Sequence, residues 1–255
     1  MEFKHNKALG QNFLTDKNLL AAIVADAGIT CGDTVVEVGA GEGALTLPLA
    51  KTGARIVSYE IDRRLIDNLK SLENTYPNLS VMSADIMNVP NESVAPCVPY
   101  KVVANLPYYI TTPVLFKFIE SGDATSVTVM VQKEVAQRIV ASPGGKDYGI
   151  LSVMCQLAGM PRITRTVGRN MFTPPPNVDS AVVRLDISSR AADSVKKVVK
   201  AAFSMRRKTL VNCLCAKGYN KEKVLSALAE TKHPLDVRGE RLSPAEFVAL
   251  TEKLK

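Results

Sequence analysis

Between Thr34 and about Ile187 the apolar positions of the chain alternate between two periods. Short apolar runs, "TVVEV", "RIVSYE", "LSVMS", "KVVAN", "VTVMVQ", "RITRTV" and "AVVRLDI", have the length and composition of strands. Between them, "ALTLPLAKT", "RLIDNLKSL", "PVLFKFIES" and "EVAQRIVAS" read as amphipathic helices. This alternation predicts an α/β fold with a doubly wound, mostly parallel Rossmann-like sheet. The last two strands are joined only by "GRNMFTPPPNVDS", with no helix, so an antiparallel last strand is expected there. Ahead of the first strand, "TDKNLLAAIVADAG" predicts a helix that Thr15 or Asp16 caps and Gly28 ends. "GILSVMCQLAGM" reads as a buried helix.

After "LDISSR" the pattern changes. "AADSVKKVVKAAFSMRRKTLVNCLCAKG", "NKEKVLSALAE" and "SPAEFVALTEKL" read as helices with no strand among them. A boundary near residue 189 divides the chain into an α/β domain, 1–188, and a small all-α domain, 189–255. Charge follows the same division. Residues 191–255 hold 14 Lys/Arg against 7 Asp/Glu, while residues 1–190 hold 18 of each, so the whole net charge of +7 lies in the last quarter. A solvated helical surface and a polyanion-facing lobe both fit a basic helix, and the segregation favours the second. The candidates are Arg206, Arg207 and Lys208, at the expected start of a helix, with Lys196, Lys197 and Lys200 one helix earlier. Contacts from such residues to phosphate position a nucleic acid without reading its bases.

Other classes drop out on composition. No apolar run reaches the roughly 18 residues of a membrane span. The start, "MEFKHNKALGQNF", lacks an apolar signal core, so a cytoplasmic protein is expected. Cys31, Cys97, Cys155, Cys213 and Cys215 form no CxxC pair and only His5 and His233 could join them, so no metal site is expected. They read as reduced, mostly buried thiols.

The candidate chemistry lies at strand ends. "VVEVGAGEGALT" puts Gly39, Gly41 and Gly43 in a turn straight after the first strand of the sheet. The turn also satisfies GxGxxA, so a nicotinamide dinucleotide competes for it. Three carboxylates separate the readings. Glu37 precedes the glycines, where it repels a pyrophosphate. Glu60 ends the second strand, twenty-one residues after Gly39, placed to accept ribose hydroxyls. Asp85 ends the third, suited to an adenine amino group. An adenosine without phosphate and with cationic groups fits this set, and S-adenosylmethionine is such a ligand.

The fourth strand runs into "NLPYYIT". Asn105 offers a side-chain carbonyl, and Pro107 fixes the backbone so that the Leu106 carbonyl can face the same point. These are two acceptors for the two hydrogens of an exocyclic amine, with the Tyr108 ring as a stacking face for a base. The alternative is a plain turn with Tyr108 in the core. Phe172, in the stiff "FTPPPNVD" loop, either stacks on the opposite face of that base or belongs to a structural connector.

"NLPY" is similar to the Asn/Asp-Pro-Pro-Tyr signature of amino-group methyltransferases, with Leu in place of the first Pro. With "KALGQNFL", "EVGAGEGALT", "VQKEVAQRI", "FTPPPNVDSAVVRL" and "FSMRRKTLVNCL", the chain closely resembles, nearly end to end, the small-subunit ribosomal RNA adenine N6,N6-dimethyltransferases of the KsgA type. The resemblance implies S-adenosylmethionine as cofactor and two dimethyladenosines made in the 3′-terminal hairpin loop of 16S rRNA. It further implies a pre-30S particle as partner, a late role in assembly, and a monomer. Carried over by position, Gln11, Asn12 and Leu14 close over the cofactor. Gly39, Glu60 with Ile61, Asp85 with Ile86, and Asn105 line its site, and Phe172 faces Tyr108. Phe13 is expected in the core. The rivals are the large-subunit adenine methyltransferases of macrolide resistance, a DNA adenine methyltransferase, and a non-catalytic RNA-binding assembly factor.

Overall fold

The structure is a computed structural model that describes residues 12–205 and 207–255. Contacts group the chain into two compact units, Met1–Ala136 with Pro161–Ser188, and Gln137–Met160 with Ser189–Lys255.

The first unit is built on strands β2 (Thr34–Val38), β3 (Arg55–Glu60), β4 (Leu79–Ser83), β5 (Tyr100–Asn105), β6 (Ala124–Gln132), β7 (Gly159–Val167) and β9 (Ser180–Ile187). Their order in the sheet is β4-β3-β2-β5-β6-β9-β7. The pairs β2–β3, β2–β5, β3–β4 and β5–β6 are parallel, and β9 runs antiparallel to β6. The expected α/β Rossmann-like class and its antiparallel last strand are therefore observed. Every residue of β2 is buried because helices cover both faces of a parallel sheet, so its sequence does not alternate. Each buried Val there contributes about 1.5–3 kcal/mol. The edge strand β4 alternates instead, with Leu79 and Val81 turned inward.

The helices begin and end where their caps dictate. In α1 (Lys17–Ala27) the Asp16 side chain accepts from Leu19 N–H at 2.8 Å, and Gly28, at φ 59°, closes the last turn. Two cations finish that end: Lys101 Nζ donates to the Gly28 carbonyl at 2.7 Å and Arg184 Nη1 to the Asp26 carbonyl at 2.6 Å. In α3 (Arg63–Thr75) the cap is Asp62. The sheet order changes direction at β2, whose neighbours β3 and β5 lead to opposite sides. A crevice opens beyond the carboxyl ends of such strands.

One pairing has no counterpart in the expected elements. Phe13–Leu14 (β1) and Phe172–Thr173 (β8) form a separate antiparallel ladder, Phe13 opposite Thr173 and Leu14 opposite Phe172.

The second unit differs from the expected 189–255 domain by including residues 137–160. The apolar helix α6 (Ile150–Ala158) explains this: Leu151, Val153, Met154, Cys155 and Ala158 are all buried, and its cover comes from α7 (Asp193–Ala202) and α10 (Pro244–Lys253). Tyr148 donates to the Leu242 carbonyl at 2.9 Å, and Tyr148, Phe203 and Phe247 form a row with ring centroids 6.4 and 6.0 Å apart. The unit is completed by α8 (Leu210–Cys215) and α9 (Lys221–Glu230). Cys155 and Cys213 are buried, Cys215 is half-buried, and Cys31 and Cys97 are exposed, so "mostly buried" overstates the thiols. Among the described residues no helix is long and apolar enough to cross a membrane.

Candidate active site

A cavity of about 250 Å³ lies at the carboxyl ends of β2, β3 and β5. Of the residues singled out from sequence, Asn12, Leu14, Gly39, Gly41, Glu60, Ile61, Asp85, Ile86, Asn105, Leu106, Pro107, Tyr108 and Phe172 all line it. Gln11 lies outside the described residues. Gly43 and Glu37 do not line it, and both are corrections. Gly43, at φ +85°, packs the turn onto α3, where a Cβ would stand 2.6 Å from Leu72 Cδ1.

Glu37 lies buried in the sheet at 1% exposure. Its Oε2 accepts from Ser58 Oγ at 2.5 Å, while among the described residues Oε1 has no partner in full hydrogen-bond geometry, the Thr46 hydroxyl reaching the carboxylate only weakly. Burial pushes its pKa up to about 7; the Ser58 and Thr46 hydroxyls oppose that rise and the Glu60 charge adds to it. It is a structural acid behind the turn, not a wall of the cavity.

Glu60 organises the turn itself. Its Oε2 accepts from Gly41 N–H at 2.7 Å and its Oε1 from Asp62 N–H at 2.8 Å, which fixes the carboxylate and leaves lone pairs toward the cavity. The N–H groups of Gly39 and Ala40 both donate to the Tyr59 carbonyl, at 2.9 and 3.2 Å, and Gly43 N–H donates to the Ala40 carbonyl. Four N–H groups of the turn, those of Gly39, Ala40, Gly41 and Gly43, are therefore spent on the protein. Among the described residues, the charged side chains that line the cavity are Glu42, Glu60 and Asp85, and none of the lining residues is a cation. These carboxylates repel a pyrophosphate and attract a sulfonium and an amine. That argues against the dinucleotide reading and fits S-adenosylmethionine. Asp85 caps a short turn through Met87 N–H at 2.9 Å and also accepts from Asn88 Nδ2 at 3.2 Å. Ile61, Ile86 and Met87 supply apolar surface for a flat ring.

Register brings the target side alongside. Val38 pairs with Ala104, so Gly39 lies next to Asn105, whose backbone oxygen would be 3.4 Å from a Cβ at Gly39. After Asn105, the Pro107 carbonyl accepts from Ile110 N–H at 3.2 Å and Thr111 Oγ1 at 3.3 Å. No described residue donates to the Leu106 carbonyl or to the Asn105 side-chain carbonyl, so both expected acceptors are free. Tyr108 keeps its hydroxyl 2.7 Å from Ser180 Oγ.

Three features of the cavity escape sequence reasoning. Phe13, expected in the core, is half-buried and lines the cavity; a Cβ at Gly41 would stand 3.1 Å from its ring. Phe172 lines the cavity yet is only 4% exposed, packed in the core cluster that also holds Leu14 and Leu20. Tyr109, at 64% exposure, stands at the rim. The β1–β8 ladder ties Phe13 and Phe172 into one wall, and neither two-residue strand carries a periodicity that could announce it.

In the second unit, Lys197, Lys200, Arg207 and Lys208 are exposed. Lys196 is not: it is 8% exposed and its Nζ lies 3.2 Å from Asp193 Oδ1. Arg206 lies outside the described residues. Arg207 and Lys208 precede α8 rather than open it, because Thr209 is its cap, accepting from Asn212 N–H.

Fold and cavity together define a Rossmann-like methyltransferase that uses S-adenosylmethionine. The family model described as Ribosomal RNA adenine dimethylase matches residues 2–251. The chain is 43% identical over 261 residues to the Ribosomal RNA small subunit methyltransferase A of Clostridioides difficile strain 630, covering 98% of this chain and 90% of that protein. To the protein of the same name from Bacillus licheniformis it is 41% identical over 269 residues, covering 99% and 92%. Among solved structures, a dimethyladenosine transferase from Plasmodium falciparum superposes with TM-score 0.79 at 27% identity, covering 93% of this chain and 95% of that one. The 23S rRNA methyltransferase ErmE superposes with TM-score 0.72 at 28% identity, covering 95% and 99%. The chain belongs to the ribosomal RNA adenine dimethylase family.

Proposed function

We propose that the chain dimethylates the N6 amines of two adjacent adenosines in the 3′-terminal hairpin loop of 16S rRNA, late in small-subunit assembly. In this reading it acts as a cytoplasmic monomer on a pre-30S particle. The observation that carries the chemistry is the pair of free acceptors, the Asn105 side chain and the Leu106 carbonyl, beside a cavity lined by carboxylates and no cation. The small-subunit assignment rests on the relatives at 41–43% identity, whose shared name specifies that subunit.

S-adenosylmethionine supplies the methyl group on a cationic sulfonium. The chain does the rest by position. Glu60 would hold the ribose hydroxyls and Asp85 the adenine amine of the cofactor, with Ile61 and Ile86 offering apolar surface to its ring. Asn12, Phe13 and Leu14, which line the same cavity, would wall it in.

On the target side, the nitrogen of an adenine amine is a poor nucleophile because its lone pair is delocalised into the ring. The Asn105 and Leu106 carbonyls each take one of its hydrogens, which favours a pyramidal nitrogen with its lone pair aimed at the methyl carbon. Tyr108 stacks on one face of the base and Phe172 borders the other. Positioning and electrostatics of this kind lower a barrier by several kcal/mol without a strong base. As the sulfur–carbon bond breaks to leave a neutral thioether, the methylated nitrogen is cationic and loses its proton to water. A loop adenosine must leave its stack to enter such a cavity, which costs less in single-stranded RNA than in duplex.

The test is incorporation of labelled methyl groups from S-adenosylmethionine into unmethylated 30S and, separately, 50S subunits, followed by mass analysis of the digested RNA. Dimethyladenosine in 30S alone is expected. Label in 50S transfers the protein to the large-subunit reaction that the name of ErmE describes. Tight binding with no label in either makes it a scaffold.

A further inference from the structure

Tyr108 is held from behind. Its hydroxyl shares a hydrogen bond with Ser180 Oγ at 2.7 Å, and Ser180 is completely buried, at 0% exposure. Ser180 opens β9, opposite Gln132 at the end of β6. The residue before it closes the loop that carries Phe172. The Asp179 carbonyl accepts from Lys133 N–H at 2.9 Å, and its Oδ1 accepts from Arg169 N–H at 3.1 Å. One junction of the sheet therefore fixes the Tyr108 hydroxyl and both ends of the loop bearing Phe172.

A tyrosine beside an open cavity is free to swing about its side-chain torsions unless its hydroxyl is tied. Tied to a side chain that is itself buried in a strand, the ring is ordered before any base arrives, and binding need not supply that order. Burial also raises the Tyr108 pKa, so at neutral pH the group keeps its proton and the bond stays between two neutral hydroxyls.

We propose that Ser180 is a positioning residue for the target base: through the Tyr108 hydroxyl it holds the aromatic ring in the plane from which the base meets the Asn105 and Leu106 acceptors. The proposal rests on reading the cavity as a methyl-transfer site. It assigns Ser180 no contact with either substrate; its effect passes through Tyr108.

The test is a double-variant cycle. The full chain, Ser180→Ala, Tyr108→Phe and the double variant are compared for methyl transfer to unmethylated 30S subunits, with kcat and both KM values measured and thermal melts recorded. Ser180→Ala should lower kcat roughly tenfold with the KM for S-adenosylmethionine unchanged, as a slightly misplaced base would. Tyr108→Phe should lose as much, and the double variant no more than either. Additive losses, or a loss that tracks the melting temperature, overturn the proposal.

A second measurement does not depend on the substrate. In protein labelled with 3-fluorotyrosine, the 19F resonance that disappears in Tyr108→Phe should move in Ser180→Ala. An unmoved resonance overturns the positioning role even if methyl transfer is as proposed. Conversely, a moved resonance with no methyl transfer by the full chain sinks the functional reading alone.

Discussion

Glu37 and Asn105 are both polar residues of the central strands, and they have opposite fates. Asn105 is the last residue of β5, where topology alone puts a side chain at the ligand edge of the sheet. Glu37 lies one residue inside the end of a strand buried on both faces, and there the alternation that would tell inward from outward is absent. Hence Asn105 lines the cavity, as expected, whereas Glu37 does not. Each position makes a prediction. Asn105→Ala should cut methyl transfer by at least a hundredfold while the melting temperature stays near that of the parent, since the amide makes no described hydrogen bond. Full activity in that variant would remove the acceptor argument. For Glu37, the folded pKa of about 7 lies above the reference of 4.5. The folded state then binds more protons than the unfolded one between those values, so stability falls as pH rises through that window and levels off above it. The gap between the two values is worth on the order of 3 kcal/mol. Glu37→Gln keeps the shape without the charge. It should flatten that slope and be the more stable protein at pH 8.5, as read from denaturant unfolding at pH 5 and 8.5. The same slope in both proteins would mean that Glu37 is ionised in the fold.

Among elements, long ones with strong periods were readable and short or distant pairings were not. The seven strands of the main sheet and α1 with both its caps follow from local pattern, because apolar period and capping act within a few residues. The β1–β8 ladder joins Phe13 and Leu14 to Thr173 and Phe172 across most of the chain, and only tertiary packing selects it. Phe172 therefore has two roles that a single substitution confounds. It is a core side chain and a wall of the cavity. Phe172→Ala should cost about 3–5 kcal/mol of stability and drag activity down with it. Phe172→Leu keeps most of the volume and removes the ring, so its loss should be much smaller. If Phe172→Leu folds normally and transfers methyl groups to 30S at the parent rate, no stacking by Phe172 is needed.

For the molecule as a whole, the grouping of contacts sharpens what charge along the sequence only suggests. With residues 137–160 counted in the second unit, that unit holds 17 Lys/Arg against 8 Asp/Glu, a net of +9, and the first holds 15 against 17, a net of −2. The division of labour follows from this. A unit whose cavity is lined by carboxylates cannot also attract a polyanion by its own charge, so attraction falls to the other unit, whose exposed Lys197, Lys200, Arg207 and Lys208 are candidates for phosphate contacts. Counterion release makes this measurable. Each phosphate neutralised on a single strand contributes about 0.7 to the slope of log K against log salt, so replacing all four with Gln should reduce its magnitude by roughly 3. Affinity for S-adenosylmethionine should not change, because no cation is among the lining residues of its cavity. A slope that stays the same would leave these four as solvated surface and transfer the search to the remaining cations of that unit. A loss of cofactor affinity alongside it would instead mean that the two units do not divide the work.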